Sequence, residues 1–320
     1  AGRSCENPLQ QRRAPGGRRT RHGAHRSRRE KAGTGPALPT GPPVRNAPLG
    51  ERSADRGRHT TDVLIVVSPA KSLDYDTPLP TRRSTEPRLL DHAAPLVAEL
   101  ATRSPAEQQR LMGITESLAE LNFHRFQDWE RPFTSDSARP AVFAFSGDVA
   151  IGMDAASFTT RDLTHAQKTL RFLSGLYGVL RPLDLMAPYR LEMGTRLTTD
   201  RGRDLYAYWS PVLTDTLRAD LEESPGSDVL VDLASREYFG AVETDRLGAR
   251  VVSPVFLDSK DGAEPTIVAF FAKRARGAMA GWIIRNRVRS PRALRDFDQD
   301  GYRFDPERSR PDEPVFVRHH

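Results

Sequence analysis

The chain has 320 residues, 38% apolar and 28% charged, and a single cysteine, Cys5. That composition suits a soluble protein of one large or two ordinary domains. It excludes an intrachain disulfide and a thiolate zinc site, and no apolar run approaches the roughly 20 residues of a membrane-spanning helix.

The net charge of +6 is unevenly placed. Of the 48 basic and 42 acidic residues, 14 and 4 fall in residues 1–60, which leaves 34 and 38 in residues 61–320, a balance of −4. Any nucleic-acid affinity of the second part therefore has to come from a local patch. Residues 1–60 are rich in Arg, Gly and Pro and poor in aromatic and β-branched residues, so they are expected to be disordered. Their basic run, QQRRAPGGRRTRHGAHRSRRE, would adhere to any polyanion. It reads as a nucleic-acid-binding arm, as a transit peptide, or as an extension translated from GC-rich DNA. Prolines and Glu30 work against an amphipathic transit helix. The 43 Arg against 5 Lys, and a first residue other than Met, favour the extension.

From Asp62 the pattern becomes globular, and one domain is expected over 62–320. Val63 to Val67 is a buried-strand run ending in Ser68-Pro69-Ala70-Lys71, with Asp74 beyond. A strand leading into a Ser/Lys loop is where α/β proteins place ligand contacts; the glycines of a phosphate loop are missing, so it is no Walker motif. Lys71 is either a site lysine or a solvated one. Residues 86–130 predict three helices. Leu89, Leu90, Ala93, Leu96, Val97 and Leu100 lie at helical spacing around Pro95. Ser104-Pro105 starts the second helix. The third carries Leu118, Leu121, Phe126 and Trp129 on one stripe. Ala141 to Phe145 predicts a short strand closed by Ser146-Gly147-Asp148, and Asp148 is a site carboxylate or a turn residue.

Asp162 to Leu173 predicts a helix feeding Leu170–Gly194, LRFLSGLYGVLRPLDLMAPYRLEMG. This stretch is too punctuated for one helix and too apolar for a free loop. The expectation is a helix that turns at Ser174-Gly175 and Tyr177-Gly178 and restarts near Pro182, with Arg171, Arg181 and Arg190 around it. A helix is predicted from Leu205 to Leu221, a break at Ser224-Pro225-Gly226-Ser227, and a buried strand at Val229–Leu233 with Ser235 as the next N-cap. Arg250–Phe256 and Pro265–Phe271 read as a strand pair. Lys273 to Val288 predicts a helix with a cationic face (Lys273, Arg274, Arg276, Arg285, Arg287, Arg289) opposite Met279, Trp282 and Ile283. Tyr302–Phe304 and Val315–Val317 would add an edge hairpin.

The residues together resemble the peroxide-stress resistance protein YaaA family. The resemblance is carried by Ser68-Pro69-Ala70-Lys71 with Leu73-Asp74-Tyr75, by Gly147-Asp148 and by Leu173–Asp184. It continues through Pro188–Gly194, Leu233-Ala234-Ser235 with Glu237-Tyr238-Phe239, and Ala272-Lys273 with Ala275-Arg276-Gly277. It runs from about residue 63 to the end. It implies a cytoplasmic bacterial protein that limits oxidative damage by lowering free iron, a mixed α/β fold with a positively charged cleft, and binding to double-stranded DNA through a helix-hairpin-helix-like element. That element falls on Leu173–Leu183. There the amides of Gly175 and Gly178 would donate to phosphates, with Arg171, Arg181, Arg190, Lys273, Arg274 and Arg276 adding charge. The two glycines stand three apart, where typical hairpins of this class place them two apart.

No His/His/carboxylate cluster stands at ligand spacing, so neither metal nor cofactor is expected. The rival to a DNA-binding surface is an enzyme acting on a nucleotide or nucleobase-like substrate. Lys71, Asp74, Asp148 and Glu192 are its candidate catalytic residues, since a plain duplex-binding surface has little use for so many acids. The same charges also read as an ion-pair network that fixes the fold, Arg190–Glu192 for instance.

Overall fold

A computed structural model describes residues 62–223 and 228–320. The disorder expected for residues 1–60 and the break expected at 224–227 lie outside the described residues. The globular part opens with β1 (Leu64–Val67), four fully buried apolar residues, and the short β2 (Ser72–Leu73). Three helices follow, α1 (Leu90–Ala101), α2 (Pro105–Met112) and α3 (Glu116–Gln127). Ser104 closes a capping box on α2: its hydroxyl accepts from the Glu107 N–H, and the Glu107 carboxylate accepts from the Ser104 N–H. The apolar stripe expected on α3 is rotated. Ala119, Asn122 and Phe126 face inward, and Leu118 and Leu121 are exposed.

The strand expected over 141–145 is instead β3 (Arg139–Pro140), a helical turn α4 (Ala141–Ala144) and β4 (Phe145–Ser146). The N–H groups of Ala141 and Val142 donate to the carbonyls of Asp184 and Pro182, which satisfies them without a strand partner. Next come α5 (Asp148–Met153) and α6 (Thr160–Thr169).

The largest correction falls on the central stretch. The helix stops at Thr169, and the chain continues as β5 (Leu170–Ser174) and β6 (Gly178–Leu180), paired antiparallel from Phe172–Leu180 to Ser174–Gly178. The element read as helix-hairpin-helix is therefore a β-hairpin. The Ser174 hydroxyl closes its turn by accepting from the N–H groups of Leu176 and Tyr177. Gly178, at φ 66°, packs directly on the Trp209 ring.

The remainder contains β7 (Leu185–Met186), α7 (Leu205–Glu223), β8 (Val229–Leu233), α8 (Arg236–Phe239) and α9 (Thr244–Leu247). It ends with β9 (Arg250–Val252), β10 (Val255–Ser259), α10 (Ala269–Asn286), β11 (Arg303–Arg310) and β12 (Glu313–His319). Of the strand expected over 265–271 only Thr266 pairs, as an antiparallel bridge to Asp258 of β10. β10 instead lies parallel to β12, and β12 antiparallel to β11, so the expected terminal hairpin gains a third strand.

The main sheet has the order β6-β5-β1-β8-β9, parallel except for the edge strand β6. From central β1 the chain goes out to β5 and β6 on one side, then returns to β8 and β9 on the other. The order reverses between β1 and β8, which makes their seam the topological switch point of an α/β sheet. Helix α10 packs on α5 through Gly152, Gly277 and Gly281. A Cβ at Gly277 would stand 1.9 Å from the Val149 carbonyl oxygen, so only glycine lets the two backbones approach this closely. The fold is mixed α/β, as expected, and no described helix is long and apolar enough to cross a membrane.

Candidate functional site

Parallel strands bring their carboxyl ends to one edge of the sheet. Ser174 ends β5, Ser68 follows β1, Ser235 lies just past β8 and Ser253 just past β9. At the switch point two of these meet. The Ser68 hydroxyl accepts from the Ser235 N–H at 2.8 Å and donates to the Ser235 hydroxyl at 3.2 Å. Ser235 occupies the expected N-cap position of α8, but its hydroxyl makes no capping bond within that helix.

Next to this seam the sequence candidates Lys71, Arg190 and Glu192 converge. Lys71 Nζ is 2.7 Å from one Glu192 oxygen, and Arg190 donates to the other from Nη2 at 2.7 Å and Nε at 3.2 Å. Arg190 also reaches the Lys71 carbonyl at 3.4 Å. Burial pushes the Glu192 carboxyl up, but the hydrogen bonds from Lys71 and Arg190 outweigh it and hold the group below the usual range. Glu192 is therefore an ionised anchor at neutral pH. It fixes the more exposed Lys71 ammonium at the rim.

Asn122 supports this chain of charges, and sequence reading passed it over. Its side-chain oxygen accepts from the Arg190 N–H at 2.8 Å, and its amide donates to the Arg190 carbonyl at 3.1 Å. A fully buried asparagine on an otherwise apolar helix face was the available signal. On the far side, Glu237 accepts from the Gly194 N–H, and the buried Tyr189 hydroxyl is 2.6 Å from that of Ser174.

Asp232, on β8, was also missed. One of its oxygens accepts from the Ala234 N–H, and the other is 3.5 Å from the Ser253 hydroxyl. Burial raises its carboxyl to about 7, so it exchanges a proton near neutral pH. A carboxylate inside the apolar run Val-Leu-Val-Asp-Leu was the signal. It adjoins a cavity of about 640 Å³ that Ser235, Arg236 and Arg276 also line.

The other candidates lie elsewhere or are already engaged. Asp74 accepts from the N–H groups of Thr77 and Asp76 in a turn, bonds that hold its carboxyl below the usual range. Asp148 begins α5, where Gly147 lies against Ala70 of the Ser/Lys loop. Arg171 is buried, with Nε 2.7 Å from Asp220, which Arg88 also grips with two bonds of 2.8 Å. Gly175 is pressed against the Leu191 carbonyl, and Gly178 against Trp209. Arg181 pairs with buried Asp184 and donates to the Glu86 carbonyl. The face of α10 is partly neutralised: Arg274 lies 3.6 Å from Asp300, Arg285 caps the carbonyls of Met153 and Asp154, and Arg287 pairs with Asp162. Lys273 is exposed.

The hairpin cations thus do not gather into one groove with the rim. What gathers is a lysine, an arginine, carboxyls and serines along the strand ends. The family model described as peroxide stress protein YaaA matches residues 63–308, a span that holds every residue of this rim. The chain belongs to the peroxide stress protein YaaA family.

Proposed function

We propose that the chain acts in cytoplasmic peroxide resistance as an enzyme on a nucleotide- or nucleobase-like substrate seated at the β1–β8 crevice. The observation that carries this reading is the meeting of Ser68 and Ser235 at the switch point, beside the Lys71–Glu192–Arg190 chain. Each polar group there has a distinct use. Lys71 supplies positive charge at the mouth, and Glu192 orients it. Asp232 suits proton transfer, because a group that titrates near the working pH both takes up and releases a proton readily. The serine hydroxyls offer hydrogen bonds to substrate. The test is Lys71→Ala, with survival of peroxide challenge measured in cells that lack their own copy and duplex-DNA affinity measured on the purified protein. Loss of protection with unchanged DNA affinity is expected. Parallel loss of both would refute the enzyme.

A second reading, that the chain limits iron-driven DNA damage by binding duplex DNA, draws on exposed Lys273 and Arg274 on α10. Contacts of this kind read phosphates and weaken steeply with salt. It is tested with the chain cut to begin at Asp62. Salt-sensitive duplex binding that survives the cut supports it, and loss of all binding credits residues 1–61.

A further inference from the structure

The cavity beside Asp232 holds charges that the Lys71 cluster does not use. Its floor is the end of β8, with Asp232 and Ser235, and the start of α8, with Arg236. Its far wall is α10, from which Arg276 projects. Many arginines of the fold are tied to carboxylates, Arg88, Arg171, Arg181, Arg190, Arg287 and Arg318 among them. Arg276 and Arg236 are not, and neither are buried Arg139 and half-buried Arg125. Among the described residues neither Arg276 nor Arg236 has a carboxylate within ion-pair distance, although Arg276 is largely buried and the two are close enough to repel. A desolvated guanidinium without a counter-charge is costly unless a ligand brings one.

Asp232 supplies that charge only in part. Its carboxyl attracts Arg276 from beyond ion-pair distance, but burial raises it to about 7, so it is only partly ionised at neutral pH. Ser253 and Glu313, the latter paired with Arg310 at 3.5 Å, also line the cavity, and the rest of its wall is apolar. Phe239, Phe256 and Val242 line it, and Ile267 stands at the rim 59% exposed, a large apolar side chain left in water. The volume of about 640 Å³ lies within the range of small-molecule sites, roughly 300–1,000 Å³.

We propose that this cavity binds the phosphate-bearing part of a nucleoside monophosphate, with Arg276 and Arg236 on the phosphate and the Phe239–Ile267 wall against the planar base. The proposal rests on reading the strand ends as a small-molecule site. It moves Arg276 from a DNA-contacting role to a ligand pocket.

The experiment titrates the full chain calorimetrically with adenosine 5′-monophosphate, adenosine and inorganic phosphate. Saturable one-site binding of the monophosphate is expected, with adenosine and phosphate each at least tenfold weaker. Arg276→Gln is expected to weaken the monophosphate at least tenfold at unchanged melting temperature, and Arg236→Gln about threefold or more. Arg110→Gln, exposed on α2, serves as the control and leaves binding unchanged. Should Arg276→Gln fail to fold, Ile267→Asp at the rim carries the test and is expected to weaken the monophosphate severalfold. Absence of monophosphate binding up to millimolar concentration overturns the proposal. So does binding indifferent to both arginines. Binding lost on Lys71→Ala but kept in Arg276→Gln places the ligand in the Lys71 cluster, which overturns this inference and leaves the proposed function standing.

Discussion

Single side chains set the chemistry of the rim, and two of its carboxyls behave oppositely. Glu192 has two cationic donors and is held ionised, whereas burial outweighs the Ala234 N–H, the more distant Arg276 charge and the Ser253 hydroxyl at Asp232 and holds it up near 7. The consequences for stability have opposite signs. For Glu192 the folded chain releases its proton more readily than the unfolded one, so the stabilisation is present above the ordinary value of 4.5 and is lost as pH falls. Glu192→Gln should therefore cost about 1–2 kcal/mol at pH 7, with the gap in melting temperature shrinking below pH 4.5. For Asp232 the folded chain keeps a proton that the unfolded chain releases between 3.8 and about 7, so its contribution falls as pH rises through that window. Asp232→Asn is uncharged at every pH. It should melt higher than the parent above pH 7 and lose that advantage toward pH 4. A variant that melts lower at pH 8 would show that the Asp232 carboxylate is stabilised when ionised. Asn122 acts more mechanically. Asn122→Ala would strand the N–H and carbonyl of Arg190 and is expected to cost about 1–3 kcal/mol, with Arg190, and so Glu192 and Lys71, losing its fixed position.

At the scale of elements, the hairpin β5–β6 is where physical reasons for the fold are densest. Gly178 is needed twice over, for a positive φ and because a Cβ would stand 2.6 Å from the Trp209 ring. Gly178→Ala should cost roughly 2–4 kcal/mol by urea unfolding, from backbone strain together with overpacking. Gly113, also at positive φ (61°) but with open space around it, separates the two causes. Gly113→Ala should cost only about 1 kcal/mol, and equal losses at the two positions would remove the packing explanation. The same hairpin shows what the sequence conveyed and what it hid. β1, β8 and the helices α1 to α3 were legible because apolar runs, helical spacing and the Ser104-Pro105 cap are local signals. Leu170–Ser174 was not, because Leu-Arg-Phe-Leu continues the pattern of α6, and its arginine looked like a surface residue. Arg171 is buried against Asp220, distant in the chain, which supplies its counter-charge and is gripped by Arg88 as well. A tertiary ion pair of that kind leaves no local trace. Lys71, Arg190 and Glu192 were legible as site residues, but their convergence was not, since Asn122 fixes it from 68 residues away.

For the whole molecule, the question is whether protection comes from holding DNA or from a small-molecule site, and charge distribution separates the two. Residues 61–320 carry a formal balance of −4, and the cationic excess of the chain lies before them. Long-range attraction to a polyanion therefore belongs mainly to residues 1–60, while the strand-end rim and its cavity lie entirely after them. The chain cut to begin at Asp62 should lose most of its retention on an anionic column at low salt. If the rim is the working site, the same shortened chain should protect cells against peroxide as well as the full chain does, and Lys71→Ala placed in it should abolish that protection. If protection instead falls in step with column retention, whatever the residue at position 71, then general affinity for polyanions is the active property and the rim is a structural ion-pair network. The two outcomes differ in the order of the variants, not in magnitude alone, so survival counts on four strains suffice to decide: parent, shortened chain, Lys71→Ala and the combination.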